Sequence, residues 1–503
     1  MKVFDTQSQT LKEFSPLDDN KVKMYVCGPT VYDYPHLGHA RCYITWDVVY
    51  RYLKFRGYDV TYVRNITDID DKIINKALQT GFSTKEIADK YYFEFEKAMN
   101  ELNTAKPDIE PKATENIEEM IDIIKTLCEK GFAYPADGDV YFNVANFKKY
   151  GRLSKQNLED LKSGARVEAS EKKQNPFDFA LWKAVKDETE PGWNSPWGKG
   201  RPGWHIECSA MSKKFLGETI DIHAGGQDLI FPHHENEKAQ SEAAFGKDFV
   251  KYWMHNGFVK INEEKMSKSL GNYITIGDVL KKYDANTIRF FILTNHYRMP
   301  VEFGDQALES AKNGIKRLKN AYEDIKTITS EEKIKEAENI ISFLFDEVAK
   351  TEHIPFHGID SLEEAQGLEK KIPPEIANSL ILSLKNFINA MDDDFNTPKA
   401  LSVLFEIAGR AQKIKQSDSA EFGLFYIAML LKLSNVLGFD LTKEEKASDE
   451  LASQLMDVII NLRQISREQK NWEMSDRIRD ELVKIGITLK DHKDKKTTWS
   501  LSD

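Results

Sequence analysis

Two strand-like runs, Val22 to Cys27 and Asp59 to Arg64, bracket a segment with large side chains at helical spacing. In that segment, Ala40 to Gly57, residues Tyr43, Trp46, Val49, Tyr50 and Leu53 form one stripe, and Gly57 supplies a stop. Gly28-Pro29-Thr30 ends the first run with turn residues. Strand, helix, strand in this order is a βαβ unit, and it predicts a parallel sheet that binds ligands at the carboxyl ends of its strands. The rhythm resumes at Ile220-Asp-Ile-His223, with Ala224-Gly225-Gly226 and a helix starting near Pro232. In between, a helical pattern from Ile117 to Lys130 and the stretch Pro191-Gly-Trp-Asn-Ser-Pro-Trp-Gly read as an insertion.

A chain of 503 residues is long enough for about three domains. Beyond residue 305 helices dominate, from Ala307 to Ile328 and from Pro374 to Met391. The charged segment Ser330 to Lys371 reads as a mobile connection, and the acidic run in Met391-Asp392-Asp393-Asp394-Phe395-Asn396-Thr397-Pro398 reads as a helix start. The last sixty or so residues carry a helix, Glu473 to Ile485, a short strand at Ile487 to Leu489 and a Lys/Asp-rich tail. No apolar run reaches the roughly 20 residues of a membrane-spanning helix, and Met1 to Thr6 lacks the apolar stretch of a secretory signal, so a cytoplasmic enzyme is expected. The net charge of −11 argues against nonspecific coating of DNA but is compatible with RNA binding through a basic face.

Two strings carry phosphate chemistry. His36-Leu37-Gly38-His39 falls where the first strand meets the first helix: Gly38 lets phosphate approach the backbone, and the imidazoles face the helix's positive end. Lys265-Met266-Ser267-Lys268-Ser269, followed by Leu270-Gly271-Asn272, places two ammonium groups and two hydroxyls on a loop fit to clamp a triphosphate. Ala224-Gly225-Gly226-Gln227-Asp228 lets an adenosine approach the backbone at Gly226 and offers Asp228 to a ribose hydroxyl. The four cysteines, Cys27, Cys42, Cys128 and Cys208, form no CxxC pair, so any metal site must be assembled by folding. His233 and Glu237 stand four apart, on one helical face, and together with Cys27 and Cys208 would suit zinc; spacing alone leaves His205 and His234 as rivals.

The two strings in this order resemble the HIGH and KMSKS signatures of the class I aminoacyl-tRNA synthetases, with Leu37 in place of isoleucine. Cys27, Cys208, His233 and Glu237 each fall on a zinc-ligand position of the cysteinyl subfamily, and the resemblance spans nearly the whole chain. It implies activation of cysteine with ATP (and Mg²⁺) to cysteinyl-adenylate, then transfer to the terminal ribose of tRNA(Cys). It further implies that His36, His39, Lys265 and Lys268 attend the phosphates, and that Gly38, Gly226, Asp228 and Lys268 contact ATP. Thr30, Thr67 and Trp204 resemble the residues around the substrate cysteine, and one zinc ion would select thiolate over the serine hydroxyl.

The implied fold is a Rossmann-like parallel sheet with an insertion, a helical bundle and a small mixed α/β domain, in a chain expected to be a monomer. Its expected divisions are catalytic halves at 1–110 and 201–260, a connective insertion at 111–200, the KMSKS loop and stem at 261–305, a tRNA-binding helical domain at 306–440 and an anticodon-binding domain at 441–503. In the last of these, Lys493, Lys495 and Lys496 supply positive charge and Trp499 a stacking face. The alternatives are a cysteine:amino-sugar ligase of mycothiol synthesis, which shares the zinc and adenylation signatures, and a catalytically silent synthetase-like RNA-binding protein.

Overall fold

The computed structural model describes residues 1–156, 172–186, 190–266, 273–351, 372–415, 420–443, 449–491 and 497–501. The chain forms two compact units, Met1–Leu441 and Thr442–Asp503.

A hairpin of β1 (Lys2–Asp5) and β2 (Thr10–Glu13) opens the first unit. Next come β3 (Lys21–Val26), α1 (Leu37–Phe55) and β4 (Asp59–Arg64), the βαβ unit expected from the sequence. The hairpin of α2 (Asp71–Thr80) and α3 (Thr84–Glu101) and then α4 (Ile117–Glu129) lead into four antiparallel strands: β5 (Ala133–Ala136), β6 (Asp139–Phe142), β7 (Phe179–Ala184) and β8 (Gly200–Pro202). This small sheet is the inserted element. The chain then follows α5 (Trp204–Leu216), β9 (Ile220–Gly226), α6 (Glu235–Phe245) and β10 (Val250–Asn256).

The central sheet is parallel throughout, in the order β10-β9-β3-β4. Strand order reverses between β3 and β9, so the crevice beyond their carboxyl ends is where such a sheet binds ligands. Both faces are covered, as an all-parallel sheet requires. Met24, Val26, Tyr62, Ile222, Ala224, Tyr252 and Met254 pack toward α1 in one core. Tyr25, Cys27, Val63 and Trp253 belong to a second core with α4, α5 and α6. The register pairs Tyr25 with His223 and His223 with Trp253, so these three side chains share the second face.

After the sheet, β11 (Val259–Ile261), β12 (Glu264–Lys265) and β13 (Val301–Phe303) form a small mixed sheet around α7 (Ile276–Leu280) and α8 (Ala285–Leu293). The helices α9 (Asp305–Lys326), α10 (Glu331–Thr351), α11 (Pro374–Asp392), α12 (Thr397–Lys415) and α13 (Gly423–Val436) complete the first unit.

Two expectations are corrected here. Glu331–Thr351 is helix, not a mobile connection: Ile334, Ala337, Ile340, Ile341 and Phe345 are buried on one face, and the charged residues lie between them. The rest of that segment, 352–371, lies outside the described residues. The acidic run ends a helix instead of starting one: α11 stops at Asp392, and Asp394 (φ 57°) and Phe395 (φ 53°) turn the chain before α12. Asp394 is buried and accepts from the Phe4 amide at 2.8 Å, the Tyr297 hydroxyl at 2.9 Å and Arg298 Nε at 2.7 Å.

In the second unit, α14 (Asp449–Glu468) and α15 (Trp472–Lys484) pack beside the antiparallel pair β14 (Ile487–Asp491) and β15 (Thr497–Leu501). Trp499 lies on β15; Lys493, Lys495 and Lys496 lie outside the described residues.

Candidate functional site

Cys27 follows β3 and keeps the sheet's hydrogen bonding, its amide donating to Ala224 O at 3.1 Å. Gly28 is required next to it: a Cβ at this position would lie 1.4 Å from the carbonyl oxygen of Asn65. The close approach brings the ends of β3 and β4 together. Asn65 Oδ1 accepts the Gly28 amide at 2.8 Å, and Thr30 bridges to Thr67.

Onto this edge α5 projects Cys208, α6 projects Glu237, and the turn Ile230–His234 before α6 projects His233. Cys27 Sγ lies 3.8 Å from Cys208 Sγ and 3.5 Å from Glu237 Oε1. His233 Nε2 lies 3.5 Å from Cys208 Sγ and 3.0 Å from Glu237 Oε1. All four side chains are buried. The structure thus brings together the full ligand set expected from the sequence. It also offers a second set, Cys27, His223, His234 and Glu237, that shares two members with the first. His234 Nε2 lies 3.3 Å from Cys27 Sγ, whereas the other rival, His205, sits behind the site with its Nδ1 2.9 Å from His233 Nδ1.

Electrostatics prepare these groups for a cation. Burial works against ionising Cys208, but the Cys27 thiol and the His233 ring bring its pKa down to about 6. Burial likewise opposes charge on His233, yet Glu237 and Cys208 carry it up to about 10. Despite its burial, Glu237 stays well below the usual carboxylate range because His223 and His233 face it. Cys27 is pushed well up by burial and by its acidic neighbours, so it would need a metal's charge to ionise.

Around the expected residues stand four that were not singled out in the sequence: His223, His255, Asn65 and Glu207. His223 is fully buried and contacts the second carboxylate oxygen of Glu237 at 2.7 Å. His234 Nδ1 contacts His255 Nε2 at 2.8 Å, and His255 Nδ1 contacts Thr6 Oγ1 at 2.8 Å. Asn65 and Glu207 join Thr67 in a buried polar chain: Asn65 Nδ2 donates to Thr67 Oγ1 at 3.3 Å, and Thr67 donates to Glu207 Oε2 at 2.7 Å. Burial and the nearby Cys208 push the Glu207 carboxyl well up. Trp204 stacks on His233 with ring centroids 4.1 Å apart.

The histidine string opens α1 and lies against the chain at Ile274 to Ile276. His36 caps α1, its amide donating to His39 Nδ1 at 3.2 Å, and the two rings stack at 3.8 Å. A Cβ at Gly38 would meet the His36 ring at 2.8 Å. The chain after the lysine loop is stitched to this turn: Leu37 N donates to Ile274 O at 3.1 Å and Ile276 N to Pro35 O at 2.9 Å. Lys265 Nζ lies 4.0 Å from the Phe258 ring centroid and 3.8 Å from Asp228 Oδ2. Lys268, with Ser267 and Ser269, lies outside the described residues. Gly226 ends β9, where a Cβ would meet Asp228 Oδ1 at 2.5 Å.

A profile of the class I (C) tRNA synthetase catalytic domain matches residues 13–313, and one of the DALR domain matches residues 386–442. A cysteine–tRNA ligase of Fusobacterium nucleatum is 46% identical over 100% of both chains. Those of Clostridioides difficile and Thermococcus gammatolerans are 46% identical over 98% of this chain, covering 98% and 97% of their own lengths. Among solved structures, a Mycobacterium tuberculosis methionyl-tRNA synthetase in complex with methionyl-adenylate shares the fold, with a TM-score of 0.55 at 16% identity over 83% of this chain and 90% of that one. With full-length relatives at this identity and a catalytic-domain match over more than half of its length, the chain belongs to the cysteine–tRNA ligase family of class I tRNA synthetases.

Proposed function

We propose that this chain activates L-cysteine with ATP and transfers it to the 3′-terminal ribose of tRNA(Cys), and that one zinc ion held by Cys27, Cys208, His233 and Glu237 distinguishes cysteine from serine. The observation that carries the reading is the buried two-thiol cradle at the same sheet edge as the paired histidine turn. The donor set fits zinc. A tetrahedral ion with bonds of about 2.0–2.3 Å separates its ligands by roughly 3.3–3.8 Å. The four contacts of 3.8, 3.5, 3.5 and 3.0 Å fall in or just below that range. When bound, zinc would offer a position that a substrate thiolate fills and a serine hydroxyl, harder and far less acidic, does not.

Thr30, Thr67 and Trp204 surround the amino acid in this reading. Its carboxylate oxygen attacks the α-phosphorus of ATP, and pyrophosphate leaves. His36, His39, Lys265 and Lys268 hold the phosphates through that step, which asks for positioned positive charge and no protein nucleophile. Gly38, Gly226, Asp228 and Lys268 seat the nucleotide with its Mg²⁺. A ribose hydroxyl of the tRNA then attacks the activated carbonyl, and AMP departs.

The catalytic halves are residues 1–110 and 201–260, joined through the insertion at 111–200 and followed by the stem at 261–305. Residues 306–440 and 441–503 hold the tRNA. We place the protein in the cytoplasm as a monomer; no helix among the described residues is long and apolar enough to cross a membrane. The full-length ligase relatives favour this reading over the amino-sugar ligase.

The test is cysteine-dependent pyrophosphate exchange and aminoacylation of a tRNA with a GCA anticodon, with cysteine and serine in parallel. Exchange and transfer with cysteine alone are expected. Adenylate formation without transfer would overturn the tRNA half, and unchanged exchange in a zinc-depleted Cys208→Ser variant would overturn the metal half.

A further inference from the structure

Lys72 and Lys76 on α2 and Lys90 on α3 make no ion pair among the described residues. Each is held over a tyrosine ring instead. Lys72 Nζ lies 5.4 Å from the Tyr32 centroid, and those of Lys76 and Lys90 lie 5.8 and 5.2 Å from the Tyr91 centroid. A carboxylate would neutralise these charges, whereas a ring holds a cation in place and leaves its charge available. The acidic residues next to this group in sequence are engaged elsewhere. Asp33 accepts the Tyr34 amide at 2.9 Å, Asp71 pairs with Lys183 and Arg201, and Asp89 pairs with Lys85 and Lys112.

The same group includes an exposed aromatic. Tyr34 meets Tyr91 edge to face with centroids 5.4 Å apart and is 43% exposed. Its backbone is nonetheless fixed: the Tyr273 hydroxyl donates to Tyr34 O, and the next residue, Pro35, is buried and accepts the Ile276 amide at 2.9 Å. The Tyr273 ring also stands 5.2 Å from that of His36, so Tyr34 lies beside the histidine turn. An open ring on a fixed backbone offers a contact face that needs little ordering on binding. Such a ring among uncompensated cations suits a single nucleic-acid strand, whose bases stack on the ring and whose phosphates meet the ammonium groups. A duplex hides its base faces, and an acidic peptide has no base to stack.

We propose that Tyr34 and the lysines of the α2–α3 hairpin, Lys72, Lys76 and Lys90, form a docking surface for the unpaired 3′ end of the tRNA, with one base stacked on Tyr34. The inference rests on the activity proposed above and gives the acceptor strand a route to it. The terminal ribose must reach the carboxyl activated at the histidine turn, and Tyr34 precedes His36 by two residues.

The test measures binding of tRNA(Cys), intact or with its unpaired 3′ end removed, to the full-length protein by fluorescence anisotropy over a range of salt concentrations. Wild type is compared with Tyr34→Ala, Tyr34→Phe and the double variant Lys76→Gln, Lys90→Gln. Tyr34→Ala should weaken binding of intact tRNA about 5- to 100-fold, as for loss of one base–aromatic stack, while Tyr34→Phe keeps the ring face and should stay within about twofold of wild type. In the double variant the slope of log affinity against log salt should become shallower by about 1.4, at about 0.7 for each single-strand phosphate contact. None of these differences should appear with the shortened tRNA. Equal effects on both RNAs would place the patch against the duplex part and overturn the proposal, as would wild-type affinity and salt slope for intact tRNA. Cysteine-dependent pyrophosphate exchange on the same samples should fall less than tRNA charging; parallel loss would mark a defect at the histidine turn and refute docking. A wild type that neither binds nor charges tRNA(Cys) would refute the activity itself, whereas a wild type that charges it, with variants that match, refutes only the docking surface.

Discussion

Replacing His223 with phenylalanine separates the two overlapping donor sets. His223 is fully buried, stacks on Trp253 with centroids 4.8 Å apart, and contacts Glu237 Oε2 at 2.7 Å through Nε2, while its Nδ1 has no partner among the described residues. With Nε2 protonated, the ring orients the carboxylate whose other oxygen faces His233 and Cys27. Phenylalanine keeps the ring and its stacking and removes the N–H. A hydrogen bond to a charged group contributes about 1.5–3 kcal/mol, which is roughly 10- to 150-fold in a dissociation constant, close to the 10- to 100-fold seen when a group that supports a metal ligand is lost. The zinc dissociation constant of His223→Phe should rise by that factor. Cys208→Ser, which removes a ligand outright, should raise it well beyond. Competition against a chromophoric chelator measures both, and thermal melting at saturating metal reports whether the fold is intact. If His223→Phe abolishes binding while Cys208→Ser barely changes it, the ion sits among Cys27, His223, His234 and Glu237. If His223→Phe leaves affinity unchanged, His223 does not orient Glu237.

Three further outcomes follow from the surrounding scaffold. Arg289 is fully buried against Asp47 and donates to the carbonyls of Leu102, Asn103 and Leu437. Because Asp47 keeps Arg51 at 2.9 Å, Arg289→Met should destabilise the first unit by about 3 kcal/mol, the low end for breaking a buried pair, and a urea-midpoint shift worth less than about 1 kcal/mol would contradict this. Gly28→Ala forces the ends of β3 and β4 apart, so bound zinc per chain and cysteine affinity should both fall; wild-type values for both would show that the close approach is not needed. In the second unit, Arg463 holds Asp491 below the usual carboxylate range. A carboxylate depressed in the folded state contributes stability above its unfolded pKa of about 3.9 and loses it as pH falls toward the folded value. Hydrogen-exchange protection of Ile487–Asp491 should therefore decline below about pH 4, and less steeply in Arg463→Met; equal slopes would exclude this pair as the cause.

The sequence exposed what is local or periodic. The apolar stripe of α1, its Gly57 stop (φ 85°) and the strand on either side were all visible, and with them a parallel sheet. Glu331–Thr351 was missed because glutamates and lysines fill the positions between its buried residues and raise the mean polarity without breaking the period. Asp392 to Asp394 were misread because aspartate is common at helix starts. Here Asp394 instead takes a left-handed backbone and gathers donors from β1 and from the Tyr297-Arg298 turn, partners no local pattern reveals. Cys27 and Cys208, 181 positions apart, could be joined only through the resemblance. His223 had not even that, since its approach to Glu237 depends on the register that pairs it with Tyr25.

That register also explains how one sheet serves two chemistries. Along β3, Met24 and Val26 face α1 while Tyr25 and Cys27 face α5 and α6, because alternate residues point to opposite sides. A shift of β3 by one position would bury Val26 among the metal donors and turn Cys27 toward α1. The histidine turn therefore belongs to one side of the sheet and the thiols to the other, and they meet only at the carboxyl edge. Tyr43 links them there: its ring lies parallel to that of His39 at 6.2 Å, one turn along α1, and its hydroxyl donates to Cys27 O at 3.2 Å. One side chain thus touches both the histidine turn and the strand end that carries Cys27. In the proposed reading, a substrate whose thiol and carboxylate are joined by only two carbons needs the thiol cradle and the histidine turn held at a fixed separation, and Tyr43 contacts both elements.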